Sequence, residues 1–481
     1  MFMNRNTKKI IRICSIALIS ALCLAGCDLS FVLPSDNAND DGKVEAPPAV
    51  TLQPVISLTD SASPVITQAD IEPEVEEIEY EEIFDPVEKE YSVRASDPGE
   101  ITLGFAGDVG FAAGYATIRV YRENGSDIRN CIDDGVLTLM QSVDIMMANN
   151  EFPYSDRGTP TPDKTYTFRA DPKDVHIMQD MGVDIVGIAN NHAYDYGPEA
   201  LSDTIDTLND ARLPFVGAGK NIDEAMHPAY FHVNGHVISF VAATQIERYG
   251  NPDTKEATAD SPGVLRTLDP GKAVAAIEEA AANSDFTVMF VHWGSESTDL
   301  VEQSQRDLAR AYVDAGADLV IGAHSHCLQG IDYVDDVPVF YSLGNFWFNS
   351  KTLDTCIVRV TIDKNCALKS VEFIPCIQRG SGVMTATPSE KRRIIEYMRG
   401  ISNYAEIDDD GIVTRSDTDH NTQNGQNTSP TRRPATEAPA ENEAGTDPVL
   451  QPADEPAQAQ PAPAPQSEAT EALPDWAVTT E

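Results

Sequence analysis

From residue 101 onward the sequence predicts a layered α/β domain in which two sheets pack face to face with helices outside them. Three observations predict it. Short β-rich runs alternate with segments of helical periodicity, the strand candidates outnumber what one simple sheet holds, and polar residues recur directly after the apolar runs. The strands are expected at 101–106, 143–148, 184–189, 214–217, 229–233, 237–242, 286–291, 319–321, 338–341, 356–362 and 368–374. Helices are expected at 136–142, 173–181, 199–209, 272–282, 302–315 and 391–401. The last two strands should form a hairpin, and no internal repeat is apparent.

Composition bounds the rest of the 481 residues. Stretches 28–97 and 407–481 are rich in Pro, Ala and acidic or small polar residues, so burial cannot offset backbone entropy there. The expected division is a leader at 1–26, an acidic Pro-rich linker at 27–97, a folded domain at 98–380, a helical extension at 381–406 and a disordered tail from 407. Between 101 and 405 there are 42 acids and 24 bases, a net −18 of the total −43. The flanks hold the remaining −25. Such a balance repels phosphate backbones and argues against a nucleic-acid partner. The acidic run at 72–90 reads as a solvated, self-repelling linker.

The N-terminus has the form of an export signal. Arg5, Lys8, Lys9 and Arg12 precede an apolar run at 13–24 that is too short for a typical transmembrane helix. The run ends in Leu24-Ala25-Gly26-Cys27, which resembles the bacterial lipobox. Acylation of Cys27 would anchor the mature protein in the bilayer, on the outer side of the cytoplasmic membrane. Five cysteines remain after Cys14, Cys23 and Cys27, and an odd number cannot all pair. With no CxxC spacing, they read mostly as small buried hydrophobes, and nothing supports a bridge between Cys356 and Cys366.

Chemistry concentrates after the strands, where open α/β sheets present ligands to a crevice. Asp108, Glu151, Asn190-Asn191-His192, His292 and His324-Ser325-His326 each follow an apolar run, and four of the nine histidines lie in these segments. Singly, Asp108 could cap a helix, Asn191 could sit in a turn and a histidine could be structural. Together, two carboxylates, an amide and three imidazoles suit a pair of borderline divalent ions such as Mn, Fe or Zn.

The motifs GFAGDVGF, NNEFP, TFRADP, GIANNHAYDYG, VHWGSE, GAHSHCLQG and YSLGNFWF resemble, in order and spacing, the CapA or PgsA family linked to poly-γ-glutamate capsules. The resemblance covers about 98–380 and implies a calcineurin-like metallophosphoesterase fold, a four-layer αββα sandwich with a dinuclear metal at the strand ends. It implies Asp108 and His326 on the first metal, Glu151 as the bridging carboxylate, and Asn191, His292 and His324 on the second. His192 then matches the histidine that protonates or steadies a leaving group, with Asp195 either orienting it or forming a turn. Phosphoesterases usually carry another histidine two residues after the first aspartate, whereas this chain reads Asp108-Val109-Gly110. The first metal thus lacks a ligand, which weakens the expectation of phosphodiesterase activity.

Arg169 is a candidate for holding a substrate phosphate or carboxylate, or else a structural ion-pair partner. Asn345 is placed at the crevice, as a substrate contact or a satisfied turn amide, and Trp293 reads as packing. Three functions follow: an accessory factor that binds or hydrolyses an anionic extracellular polymer, a surface phosphohydrolase, or a non-catalytic scaffold for a polymer synthase complex.

Overall fold

The computed structural model describes residues 82–246 and 254–418. Its frame is two eight-stranded sheets. In the first, Glu100–Val109, Ile145–Asn150, Ile185–Gly187 and Phe215–Val216 run parallel. Leu353–Asp363, Leu368–Arg379 and Gly382–Thr385 extend this sheet antiparallel beyond the other side of Glu100–Val109. The short strand Asn345–Trp347 pairs in parallel with the end of Glu100–Val109, setting Asn345 opposite Asp108. In the second sheet His236–Thr244, Phe286–His292, Leu319–Ala323 and Val337–Phe340 run parallel.

Strand periodicity explains the layering. Ile238, Phe240, Val288, Phe290, Leu319 and Ile321 enter the core shared with the first sheet. Their neighbours Val241, Met289, Val291 and Val320 instead join Ala273, Ala276, Ile277, Leu308 and Tyr312 of the helices Gly271–Asn283 and Gln303–Ala315. Successive side chains point to opposite faces, so these strands contact the first sheet with one set and helices with the other. Contact between the sheets is close: a Cβ added to Gly187 would stand 3.2 Å from the Phe290 ring. On the far side of the first sheet, Asp134–Gln141 and Pro388–Ile401 pack on Gly382–Thr385 and Leu368–Arg379. The result is the four-layer αββα sandwich.

Helix ends follow local chemistry. Thr387 and Glu390 form a reciprocal capping box at the start of Pro388–Ile401, and Gly316, at φ 116°, closes Gln303–Ala315 in the left-handed conformation. The expected helix at 173–181 is a 3-10 turn, Pro172–Val175, running into His176–Asp180. Trp293 is packing: it is fully buried and its indole N–H donates to the Tyr341 carbonyl at 2.7 Å.

Both expected domain boundaries need correction. Within 27–97, residues 82–97 belong to the domain, because Glu90–Ser92 pairs with Ala229–Val233 and buries Tyr91 among Phe84 and Phe231. That part of the acidic run reads as linker from its charges, yet its apolar residues close the sheet edge. At the other end the fold continues past 406: Ala405–Ile407 and Val413–Arg415 form a hairpin that buries Ile407 and Val413. The leader at 1–26, Cys27, the rest of the linker and the tail beyond 418 lie outside the described residues. Among the described residues no helix is long and apolar enough to cross a membrane, and Cys131, Cys356, Cys366 and Cys376 are buried.

Candidate metal centre

Strands Glu100–Val109, Ile145–Asn150, Ile185–Gly187, Phe286–His292 and Leu319–Ala323 deliver their C-terminal ends to one crevice. Asp108 is the penultimate residue of Glu100–Val109, and Glu151 directly follows Ile145–Asn150. His292 ends Phe286–His292, while His324 and His326 follow Leu319–Ala323. Both of these last two histidines have positive φ, 94° and 57°, a conformation L-residues hold only where the surroundings impose it. Close backbone approach is built in beside them: Asp108 N–H donates to the Gly344 carbonyl at 3.0 Å, and a Cβ on Gly107 would stand 1.9 Å from that oxygen.

The donors fall into two groups that share one carboxylate. Glu151, His292 and His324 present ligand-type atoms within 4.8 Å of one another, and so do Asp108, Glu151 and His326. In the first of these groups His292 Nε2 lies 2.8 Å from Asn191 Oδ1 and 3.0 Å from His324 Nδ1. In the other, His326 Nδ1 lies 2.7 Å from Asn345 Oδ1 and 3.3 Å from Asp108 Oδ2. Glu151 Oε1 is buried with no hydrogen-bond partner.

These atoms fit divalent ions. Burial, together with Asp108 and Glu296, pushes the Glu151 carboxyl well above its ordinary value. Burial, reinforced by neighbouring cationic side chains, drives His292 and His324 well below theirs, so both imidazoles are neutral and able to donate a lone pair. His326 differs: burial lowers it, but the Asp108 carboxylate more than offsets this and raises it. A buried carboxylate oxygen without a donor and two imidazole nitrogens facing each other are what a cation would satisfy.

His192 stands beside this set. Its Nδ1 meets Asp195 Oδ2 at 2.7 Å, its Nε2 lies 3.9 Å from Glu151 Oε1, and its ring stacks on Phe168 with centroids 4.1 Å apart. Asp195 thus orients the ring, as well as accepting from Phe168 N–H at 2.6 Å. Its Oδ1 accepts from the buried Lys164 ammonium at 2.5 Å. Burial lowers the His192 pKa, against the pull of Asp195.

Arg169 lies apart from the donors. Its guanidinium sits over the Tyr196 ring at 4.1 Å and donates to the Arg157 carbonyl at 3.1 Å, and among the described residues it forms no ion pair.

Sequence reasoning missed three residues here. Asn149 Nδ2 lies 2.8 Å from Asp108 Oδ1 and 3.2 Å from Glu151 Oε2, and Asn190 Nδ2 donates to Asn149 Oδ1 at 3.0 Å. Both asparagines stand inside motifs already singled out, so their position was the available signal. Lys164 had none, because it lies in an irregular segment 31 residues from Asp195.

A sandwich with paired oxygen and nitrogen donors at the shared strand ends has the layout of a calcineurin-like metallophosphoesterase. The family model "Bacterial capsule synthesis protein PGA_cap" matches residues 102–350, and the chain belongs to that family. It is 31% identical over 332 residues to the PGA biosynthesis protein CapA of Bacillus subtilis (strain 168), covering 66% of this chain and 83% of that one. It is 32% identical over 244 residues to the capsule biosynthesis protein CapA of Bacillus anthracis, covering 49% of this chain and 58% of the relative. A probable polyglutamine synthesis accessory protein of Mycobacterium tuberculosis is 28% identical over 42% of this chain and 55% of its own.

Proposed function

We propose that this protein takes part in the synthesis or export of poly-γ-glutamate or a similar anionic capsule polymer, acting through a dinuclear metal site. In this reading an acylated Cys27 holds it on the outer face of the cytoplasmic membrane. Family membership and the names of the Bacillus relatives support the polymer. The lipobox-like sequence at 24–27 supports the anchor. The observation that carries the metal site is the pair of donor groups sharing Glu151.

Asp108, Glu151 and His326 would hold one ion, and Glu151, Asn191, His292 and His324 the other. Two such ions, Mn, Fe or Zn, would supply Lewis acidity and a nucleophile at neutral pH. The chain's own contribution is positional. With Nδ1 held by Asp195, His192 presents Nε2 toward Glu151, where it can hold or deliver a proton to a leaving group. Arg169, near the His192 segment through Tyr196, offers a cation to a polymer carboxylate. The ordered His192–Asp195–Lys164 arrangement favours a second reading, a surface phosphohydrolase, because a scaffold has no use for an oriented proton donor.

Metal-loaded full-length protein in detergent, incubated with poly-γ-glutamate and with a panel of phosphoesters, separates these readings. Shortening of the polymer that is lost in His192→Ala is the expected result. Phosphate release without shortening would move the assignment to the phosphohydrolase, and neither reaction in a protein that carries two ions would leave the scaffold. Labelled palmitate should enter wild type and not Cys27→Ala; equal labelling would remove the anchor.

A further inference from the structure

We propose that Asn345 Oδ1 is a ligand of the first ion and replaces the histidine that the Asp108 strand lacks. The inference rests on the metal reading above and adds to it the residue that completes the first site.

Three observations converge. First, the nitrogen of His326 that faces Asp108 Oδ2, at 3.3 Å, is Nδ1, and the same nitrogen lies 2.7 Å from Asn345 Oδ1. Three donor atoms therefore meet at one place. Second, the arrangement repeats that of the other group, where His292 Nε2 lies 2.8 Å from Asn191 Oδ1. Each side of Glu151 then has one amide oxygen against an imidazole nitrogen. Third, the fold leaves no room for the expected histidine. A Cβ on Gly110 would stand 2.7 Å from the Phe348 ring, which itself lies 4.8 Å from the His326 ring between centroids.

One strand does both jobs. Asn345–Trp347 pairs in parallel with Glu100–Val109, Asn345 in register with Asp108, so the two side chains share a face. Asn345 is 1% exposed and Asp108 fully buried, which fits a shared inward-facing ligand position. The loop reaches this strand only because Gly107 and Gly344 let the backbones touch. The strand thus supplies an oxygen donor from Asn345, and the residue that follows it, Phe348, fills the volume of the absent imidazole.

This makes the two sites unlike. The first has three oxygens and one nitrogen, from Asp108, Glu151, Asn345 and His326. The second has two of each, from Glu151, Asn191, His292 and His324. Oxygen-rich sets favour harder ions, so the first site should prefer manganese over zinc relative to the second.

Full-length protein in detergent, stripped and titrated with manganese or cobalt, tests this by elemental analysis and by visible absorption. Wild type should bind two equivalents. Asn345→Ala should weaken one equivalent by more than about a hundredfold, beyond the 10–100-fold typical of a residue that only orients a ligand. Asn345→Asp should keep both. In cobalt-loaded Asn345→His the visible band should move to shorter wavelength, since nitrogen in place of oxygen strengthens the ligand field. Two equivalents of undiminished affinity in Asn345→Ala, or an unchanged cobalt spectrum in Asn345→His, would overturn the inference and leave the dinuclear site standing. A wild type that takes up no ion would overturn both.

Discussion

Opposite ends of the same strands use carboxylates in opposite ways. Asp144, Asp184, Asp285 and Asp318 each stand immediately before a parallel strand and form a two-way clasp with the preceding strand. The Asp N–H donates to a neighbour's carbonyl, and that neighbour's N–H donates back to the carboxylate. The neighbours are Thr102, Met146, Val237 and Thr287, and the returning bonds measure 2.7, 2.8, 3.1 and 2.9 Å. At the far ends Asp108 and Glu151 share the Asn149 amide and face imidazoles, and Glu151 Oε1 has no hydrogen-bond partner. Backbone N–H groups satisfy the first kind of carboxylate; at Glu151 Oε1 a cation would do so.

The sharpest break of this comparison is Glu151→Gln. Weakening the shared carboxylate should reduce bound metal from two equivalents toward none, while His324→Ala should fall toward one and His192→Ala stay near two, by elemental analysis. Metal-free Glu151→Gln should melt no lower than metal-free wild type, because the carboxyl is costly to ionise where it lies. A large drop would mean that Glu151 is structural, like the clasps.

Next comes Asp144, whose carboxylate accepts from Ser96 N–H, Thr102 N–H and the Thr102 hydroxyl. Asp144→Ala should lose about 2–4 kcal/mol in denaturant unfolding without changing the metal count. Loss of metal at wild-type stability would erase the distinction between the two ends.

Asp184 sharpens it by pH. Burial raises its pKa from 3.8 to about 6. Between these values the folded state binds more protons than the unfolded one, so this group lowers stability as pH rises, with its cost complete above about 6. Asp184→Asn keeps an acceptor for Met146 N–H and should remove that slope, on the order of 2 kcal/mol. Identical stability profiles from pH 4 to 7 would count against the burial argument.

The smallest effect should come from Arg169→Ala. Losing the contact over Tyr196 should cost below about 1 kcal/mol and leave both ions in place, while weakening retention of poly-γ-glutamate in equilibrium binding. Unchanged retention would remove Arg169 from the proposed substrate contacts.

Much of this was legible in the chain. Short apolar β-rich runs placed the main strands within a few residues, because strands covered on both faces read as continuous apolar runs, and the motif ends placed Asp108, Glu151, His292, His324 and His326 at the ends of those strands. The strand Asn345–Trp347 was hidden, since three residues after a Ser-Leu-Gly turn carry too short a pattern to read. Glu90–Ser92 was masked by charge, and Lys164 by distance along the chain.

By itself, then, the sequence determined the fold class and which carboxylates and imidazoles stand at the strand ends, because periodicity and local motif chemistry act over a few residues. Only the tertiary structure decided the contacts around them: that His326 turns the same Nδ1 toward Asn345 and Asp108, and that Lys164 closes on Asp195. Those juxtapositions join segments tens to hundreds of residues apart. No local preference encodes them, and they exist only once two sheets have packed and brought their strand ends to one edge.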